Sequence, residues 1–297
     1  MAAVLLDGKS IAATIRGELT ERIAALTADG HAPGLAVVLV GENPASVSYV
    51  TAKERDCEKV GIRSLDFRIP ESTSQHELLA LVRQLNADNT VDGILVQLPL
   101  PQHIDESVVL EAIDPAKDVD GFHPLSLGRL LLGLPSLLPC TPHGILQMLQ
   151  RSNIDPAGKH VVVLGRSNIV GKPISLLLAR KATGGNATVT MCHSRTANLP
   201  EITRQADILV AAIGSPEFVT ADMVAPGTVV VDVGVNRVEA DTERGYRLVG
   251  DVAFEEVREI AAAITPVPGG VGPLTRAMLL YNTVQAAEAR RSPDTRG

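Results

Sequence analysis

The sequence predicts an α/β protein of two domains, and three observations predict it. Short apolar runs rich in β-branched residues recur along the chain, among them Leu35–Val40, Gly93–Leu98, Val161–Leu164 and Thr228–Val233. Such runs read as strands buried on both faces of a parallel sheet. Segments with apolar residues at helical spacing alternate with them, as in chains built from βαβ units. The length, 297 residues, suits two domains of roughly 150 residues each, and 45% hydrophobic residues supply material for two cores.

In order, a short strand at Val4–Leu6 precedes a helix from Lys9 to Ala28, whose stripe is Ile11, Ile15, Leu19, Ile23 and Leu26. Leu35–Val40 is a buried strand closed by Gly41, and Asn43-Pro44 turns into a helix from about Ala45 to Val60, ended by Gly61. Ile62–Ile69 is the next strand. Ser74-Gln75-His76-Glu77 is a capping box that opens a helix to about Asn86. Gly93–Leu98 is a strand stopped by Pro99 and Pro101. Residues 114–142, rich in Pro, Gly and Asp, read as a passage between domains, and a helix from about Pro142 to Gln150 follows. Further strands are expected at Ala187–Cys192, Asp207–Ala211, Thr228–Val233 and near Ile264, and a last helix at Leu274–Arg290 before a charged tail, Arg290–Gly297.

Composition excludes several classes. The balance of 27 basic and 34 acidic residues, net −7 and without runs of one sign, argues against nucleic acid, whose phosphates need clustered Lys and Arg. Three Tyr, four Phe and no Trp leave little for base stacking. Cys57, Cys140 and Cys192 have no metal-ligand spacing and read as small buried hydrophobes in a reducing cytoplasm. The seven His show no ligand spacing either, so no metal is expected. The start, MAAVLLDGKS, lacks the pattern of a signal peptide. No apolar run approaches the ~20 residues of a membrane span.

The second half is organised around VVVLGRSNIVGKPISLLLAR, residues 161–180. A strand ends at Gly165, the turn carries Arg166, Ser167 and Asn168, and Pro173 sits just inside a helix. Strand, glycine turn and helix start aim backbone N–H groups at a phosphate. The glycine spacing is G-x5-G rather than G-x-G-x-x-G, so the turn alone also fits an ordinary buried strand entering a helix. The next strand ends in His193-Ser194-Arg195-Thr196, without the acid that binds free ribose hydroxyls. Arg166, Ser194 and Arg195 suit a 2′-phosphate, which favours NADP over NAD, and a plain polar loop is the alternative. Lys172 is open between phosphate and solvent.

In the first half, Tyr49 and Lys53 are four residues apart and share a helix face. Gln97 closes a strand whose carboxyl end faces the ligand crevice of such sheets, so its amide points into a site. Asp118 and Asp120 line the same cleft or stand as solvated acids of a loop.

Six motifs then occur in linked order: Tyr49-x-x-x-Lys53, VQLPLP (96–101), KDVDGF (117–122), PCTPHG (139–144), GRSNIVGKP (165–173) and PVPGGVGP (266–273). With them the chain resembles, over essentially its whole length, the bifunctional methylenetetrahydrofolate dehydrogenase/methenyltetrahydrofolate cyclohydrolase family. The resemblance implies two α/β domains around a cleft, the second a Rossmann-like NADP-binding domain. Residues 1–140, completed by the helix 274–290, would be the folate-binding catalytic domain, and 141–273 the NADP-binding domain. It implies that Tyr49 stacks on the folate ring system, that Lys53 sits beside the one-carbon bridge, and that Gln97 holds Lys53 and tunes its basicity. Asp120 would accept from the pterin's amino edge, and Pro268, Gly269, Gly270 and Gly272 would let backbone approach the ligand. Gly165, Arg166, Ser167, Ser194, Arg195 and Val235 would hold the cofactor. The implied partners are tetrahydrofolate derivatives and a second copy of the chain in a homodimer.

Hydride transfer from the methylene bridge to NADP+ needs positioning more than acid–base help. Hydrolysis of the resulting methenyl cation needs water activation and proton movement, which a lysine desolvated in a cleft can serve. On the residues alone, two other readings stay open: an NADP dehydrogenase of a small hydroxy or amino acid, and a non-catalytic NADP sensor. The second gives no reason for Lys53 and Gln97 to face one cleft.

Overall fold

The computed structural model describes residues 2–242 and 245–291. Of the expected charged tail, Arg290–Gly297, only Arg290 and Arg291 lie within them. The elements are β1 (Val4–Leu5), α1 (Gly8–Ala28), β2 (Gly34–Val40), α2 (Pro44–Val60), β3 (Arg63–Ile69), α3 (Gln75–Ala87), β4 (Gly93–Val96), α4 (Glu106–Ala112), α5 (Pro124–Leu131) and α6 (Cys140–Arg151). They continue with β5 (His160–Leu164), α7 (Gly171–Ala179), β6 (Thr188–Cys192), α8 (Leu199–Thr203), β7 (Ile208–Ala211), β8 (Val229–Asp232), β9 (Asn236–Glu239), β10 (Tyr246–Val249), α9 (Phe254–Arg258), β11 (Ala263–Ile264) and α10 (Val271–Arg291). The described residues form two compact units: 14–140 with 276–291, and 2–13 with 141–242 and 245–275.

The first unit is built on a parallel sheet of order β3-β2-β4. All seven residues of β2 are buried, as a central strand requires. Val38 pairs with Phe67 on one side and Val96 on the other. Ala36, Val38, Val40, Ile94 and Val96 pack on Leu78, Val82 and Leu85 of α3 and on Val109 of α4. The capping box at α3 is present: Glu77 N–H donates to Ser74 Oγ at 3.3 Å and Ser74 N–H to Glu77 Oε2 at 2.8 Å. Beyond β4, the Gln97 N–H continues the ladder to the Val38 carbonyl at 2.9 Å, and the Leu98–Pro99 peptide is cis.

The second unit is a six-stranded parallel sheet of order β1-β11-β8-β7-β5-β6. Its core includes Val162, Leu164, Leu209, Val230 and Ile264, with Leu199, Met223 and Val257 packed against them. An antiparallel pair, β9 with β10, stands apart from this sheet. The chain start differs from the expectation that residues 1–140 form one body. Val4 pairs with Ala263, and Leu6 N–H donates to the Ile264 carbonyl at 2.9 Å, so β1 completes the second sheet. The side chains of Val4 and Leu5 are exposed. The pairing is therefore made by backbone groups, which hydropathy does not reveal.

Residues 114–142 are less irregular than their composition suggests. They contain α5, with Pro124 at its start and His123 Nδ1 accepting from Leu125 N–H at 3.0 Å. Cys57, Cys140 and Cys192 are free and buried, as small core residues. Among the described residues no helix is long and apolar enough to cross a membrane.

Candidate active site

In the first unit three of the expected residues come together from separate elements. Lys53, on α2, is 9% exposed, and its Nζ donates to Gln97 Oε1 at 3.0 Å. The opposite end of the Gln97 amide donates to the Leu98 carbonyl at 2.6 Å, which fixes the oxygen toward the lysine. Asp120, on the loop between α4 and α5, feels the Lys53 charge. Burial pushes the Asp120 carboxyl above its ordinary range, while Lys53 and a hydrogen bond from Cys140 pull it down. The result is an ammonium, an amide oxygen and a carboxylate around one partly buried place. Tyr49, one helical turn before Lys53, is 49% exposed, so its ring is open to a ligand.

Sequence reasoning did not single out the groups that hold Asp120. The Cys140 N–H donates to the Asp120 carbonyl at 3.2 Å, and its thiol lies 3.2 Å from the Val119 carbonyl. Burial and the Asp120 charge push the Cys140 thiol well above its ordinary value. Asn282, fully buried on α10, donates to the Val119 and Leu138 carbonyls at 2.8 Å each. Arg276 pairs with the buried Asp56 on α2 at 3.3 Å.

Asp118 and Lys117, from the same motif as Asp120, serve the loop itself. Asp118 is 1% exposed and accepts from the His123 N–H at 2.7 Å and the Gly121 N–H at 3.2 Å. Burial pushes its carboxyl up to about 7. Lys117 donates to the Leu85, Asn86 and Asp88 carbonyls at 3.0, 2.7 and 2.8 Å, closing the C-terminal end of α3.

In the second unit the expected cofactor residues lie at the carboxyl ends of adjacent strands. Leu164 pairs with Cys192, so Arg166 and Ser194 each stand two residues beyond the paired ends of β5 and β6. Arg166, Ser194 and Arg195 are exposed there. Gly165 has φ +135°, and a Cβ on it would overlap the Ala212 carbonyl, so only glycine fits this close turn. Ser167 also has a task within the protein. Its Oγ accepts from the Val170 and Gly171 N–H groups at 3.1 and 3.3 Å and so caps the entry to α7. Among the described residues, no protein acceptor takes the backbone N–H of Arg166, Ser167 or Asn168, so those donors suit an anionic ligand. Lys172 is exposed and donates to Asn168 Oδ1 at 2.7 Å.

Val235, 50% exposed, lies in the turn after β8. The glycine-rich loop follows β11. Its Val267–Pro268 peptide is cis, Gly269 has φ +117°, a side chain on Gly8 would overlap the Gly270 carbonyl, and Gly272 faces open space. These loop residues belong to the second unit, and Tyr49, Lys53, Gln97 and Asp120 to the first. No group of three or more His, Cys, Asp or Glu among the described residues is arranged to hold a metal.

Comparison with known proteins places this geometry. Residues 6–120 match the catalytic domain, and residues 139–291 the NAD(P)-binding domain, of tetrahydrofolate dehydrogenase/cyclohydrolase. The chain is 55% identical over 290 residues to bifunctional protein FolD 1 of Haloarcula marismortui, covering 98% of each chain. It is 58% identical over 285 residues to bifunctional protein FolD of Cytophaga hutchinsonii, covering 95% of this chain and 98% of the relative. Among solved structures, the FolD methylenetetrahydrofolate dehydrogenase/cyclohydrolase of Campylobacter jejuni superposes with a TM-score of 0.92 at 50% identity, covering 97% of this chain and all of that one. The Trypanosoma brucei methylenetetrahydrofolate dehydrogenase-cyclohydrolase, solved with NADP cofactor and an inhibitor, gives 0.92 at 39% identity, covering 98% and 100%.

Proposed function

The chain belongs to the tetrahydrofolate dehydrogenase/cyclohydrolase family, and we propose that Lys53, Gln97 and Asp120 carry both of its reactions. Those reactions are the NADP-dependent oxidation of 5,10-methylenetetrahydrofolate to the methenyl compound and the hydrolysis of that compound to 10-formyltetrahydrofolate. The observation that carries the assignment is the 3.0 Å bond from Lys53 Nζ to Gln97 Oε1 beside Asp120.

NADP+ supplies the hydride acceptor. Tyr49 offers an open ring face for the folate, and Asp120 accepts from the donor-rich edge of the pterin. In oxidation these residues position the methylene bridge. In hydrolysis Lys53 serves proton transfer to and from the attacking water and the folate nitrogens. Gln97 accepts one of the three ammonium protons of Lys53 and so aims the other two.

Residues 14–140 are the folate-binding unit in this reading, and the carboxyl edge of β5, β6 and β8 holds NADP. Arg166, Ser194 and Arg195 face the 2′-phosphate, the backbone donors after Gly165 face the pyrophosphate, and Val235 lies against the cofactor. Pro268, Gly269, Gly270 and Gly272 bring backbone close to the folate. The enzyme works as a homodimer in the cytoplasm; the dimer follows from the family likeness, and three free thiols suit a reducing compartment.

The test supplies methylenetetrahydrofolate and NADP+ to purified protein and follows NADPH and the methenyl compound by absorbance. The expected result is NADPH formation with little methenyl accumulation. NADPH formation with stoichiometric methenyl accumulation would remove the hydrolytic role. Light scattering after size exclusion, expected at twice the chain mass, tests the dimer.

A further inference from the structure

Two short segments of the second unit, Asp232-Val233-Gly234 and Gly250-Asp251-Val252, carry the same three residue types in a different order. The fold lays them against each other. Asp232 Oδ1 accepts from the Gly234 and Asp251 N–H groups at 2.9 Å each, and its Oδ2 accepts from the Val252 N–H at 3.0 Å. Asp251 Oδ2 accepts from the Ile213 and Gly214 N–H groups at 2.8 and 2.9 Å, and its Oδ1 from the Asn236 side-chain amide at 2.9 Å. The glycines make the room, since a Cβ on Gly234 would overlap the Asp251 carboxylate and one on Gly250 the Asp232 carboxylate.

Both acids are buried, at 2% and 0% exposure. Neighbouring carboxyl groups out of water are costly, and burial pushes Asp232 up to about 7 despite its N–H partners. What the arrangement secures is two turns. One is 212–214 after β7, whose Ala212 carbonyl abuts Gly165. The other is 233–236 after β8, which carries Val235. Neither acid belongs to any of the six motifs, and neither carboxyl group takes part in the strand ladders.

We propose that Asp232 and Asp251 are positioning residues for NADP, clasping the turns after β7 and β8 so that Gly165 and Val235 stand where the cofactor lies. The inference rests on the cofactor edge assigned above.

The test is Asp251→Asn, which keeps the shape but turns an amide N–H₂ toward either the Asn236 amide or the Ile213 and Gly214 N–H groups. The KM for NADP+ should rise about tenfold while kcat at saturating NADP+ is largely kept, the signature of lost cofactor binding. Hydrolysis of methenyltetrahydrofolate supplied directly, which consumes no NADP+, should stay within about twofold of wild type. Asn236→Ala, a milder change that removes one partner of Asp251, should raise the same KM by a smaller factor. An unchanged KM for NADP+ in Asp251→Asn overturns the proposal, as does a loss of both activities in equal measure. Should Asp251→Asn fail to fold, an unchanged KM in Asn236→Ala overturns it. Arg166→Ala with Ser194→Ala is run alongside. If that variant also leaves NADP+ binding untouched, the cofactor edge itself is misplaced. If it weakens binding and Asp251→Asn does not, the clasp alone is wrong.

Discussion

At the level of single residues, a change at Lys53, whose Nζ donates to Gln97 Oε1, tests the division of labour proposed for the two reactions. Lys53→Met keeps the apolar stem and removes the amine. Hydride transfer depends chiefly on how the ligands are held, so part of the dehydrogenase activity should survive. Hydrolysis should fall by ~10²–10⁴-fold, the usual contribution of a general acid–base group. Methenyltetrahydrofolate should then accumulate, and both rates measured on one folded sample decide it. A hydrolysis rate near wild type would reduce Lys53 to a helix-face lysine. Asp120→Ala should weaken folate binding and leave NADP+ affinity nearly unchanged, read by calorimetric titration with each ligand. Equal losses for both ligands would assign Asp120 to the loop's structure, the task that the structure gives to its neighbour Asp118. The motif KDVDGF made the two acids equivalent on paper. The task of Asp118 follows from two backbone donors, Gly121 and His123, that reach it only in the folded loop.

At the level of elements, the turns after β5 and β6 give the test of the cofactor preference proposed for them. Arg166→Ala with Ser194→Ala should weaken NADP+ far more than NAD+. Charge-assisted hydrogen bonds contribute about 1.5–3 kcal/mol, so the preference ratio should change by roughly ten- to a hundredfold. A ratio that does not move would place the 2′-phosphate elsewhere. The end of α3 gives a stability test free of chemistry. Lys117→Met strands the Leu85, Asn86 and Asp88 carbonyls that Nζ now serves and should lower unfolding free energy by about 3 kcal/mol in denaturant titration. Strongly periodic elements, such as α1 with Ile15, Leu19 and Ile23 buried, were legible because one apolar face repeats over about four turns. The five-residue α8 and α9 and the β9–β10 pair were not. Segments so short carry too few periods, and their stability comes from what they pack against.

At the level of the whole molecule, two buried groups give the stability opposite dependences on pH. Burial lowers His143 from 6.5 to about 4, with the Arg180 charge acting the same way. Its contribution is complete above pH 6.5 and is lost as pH falls toward 4, because the unfolded chain then binds the proton more readily. Asp118, raised from 3.8 to about 7, contributes fully below pH 3.8 and loses that contribution as pH rises through 7. Melting temperatures across pH 4–8 should therefore show wild type falling relative to His143→Gln on acidification, and falling relative to Asp118→Asn toward alkaline pH. A difference of the reverse sign in either pair would mean that the group is not held as described. The sequence by itself determined the alternation of strands and helices, the glycine turn at Gly165, the absence of an acid after β6, and the motif set that carries Lys53, Gln97 and Asp120. These are local patterns of side-chain type and spacing, and the chain writes them in one dimension. Only the tertiary structure decided that β1 completes the second sheet, that Ser167 caps α7, that Asn282 holds the Asp120 loop, and that Asp232 and Asp251 exchange places over two glycines. Each of those joins groups distant along the chain, or backbone donors with the acceptors that fall within reach, and only folding brings such partners together.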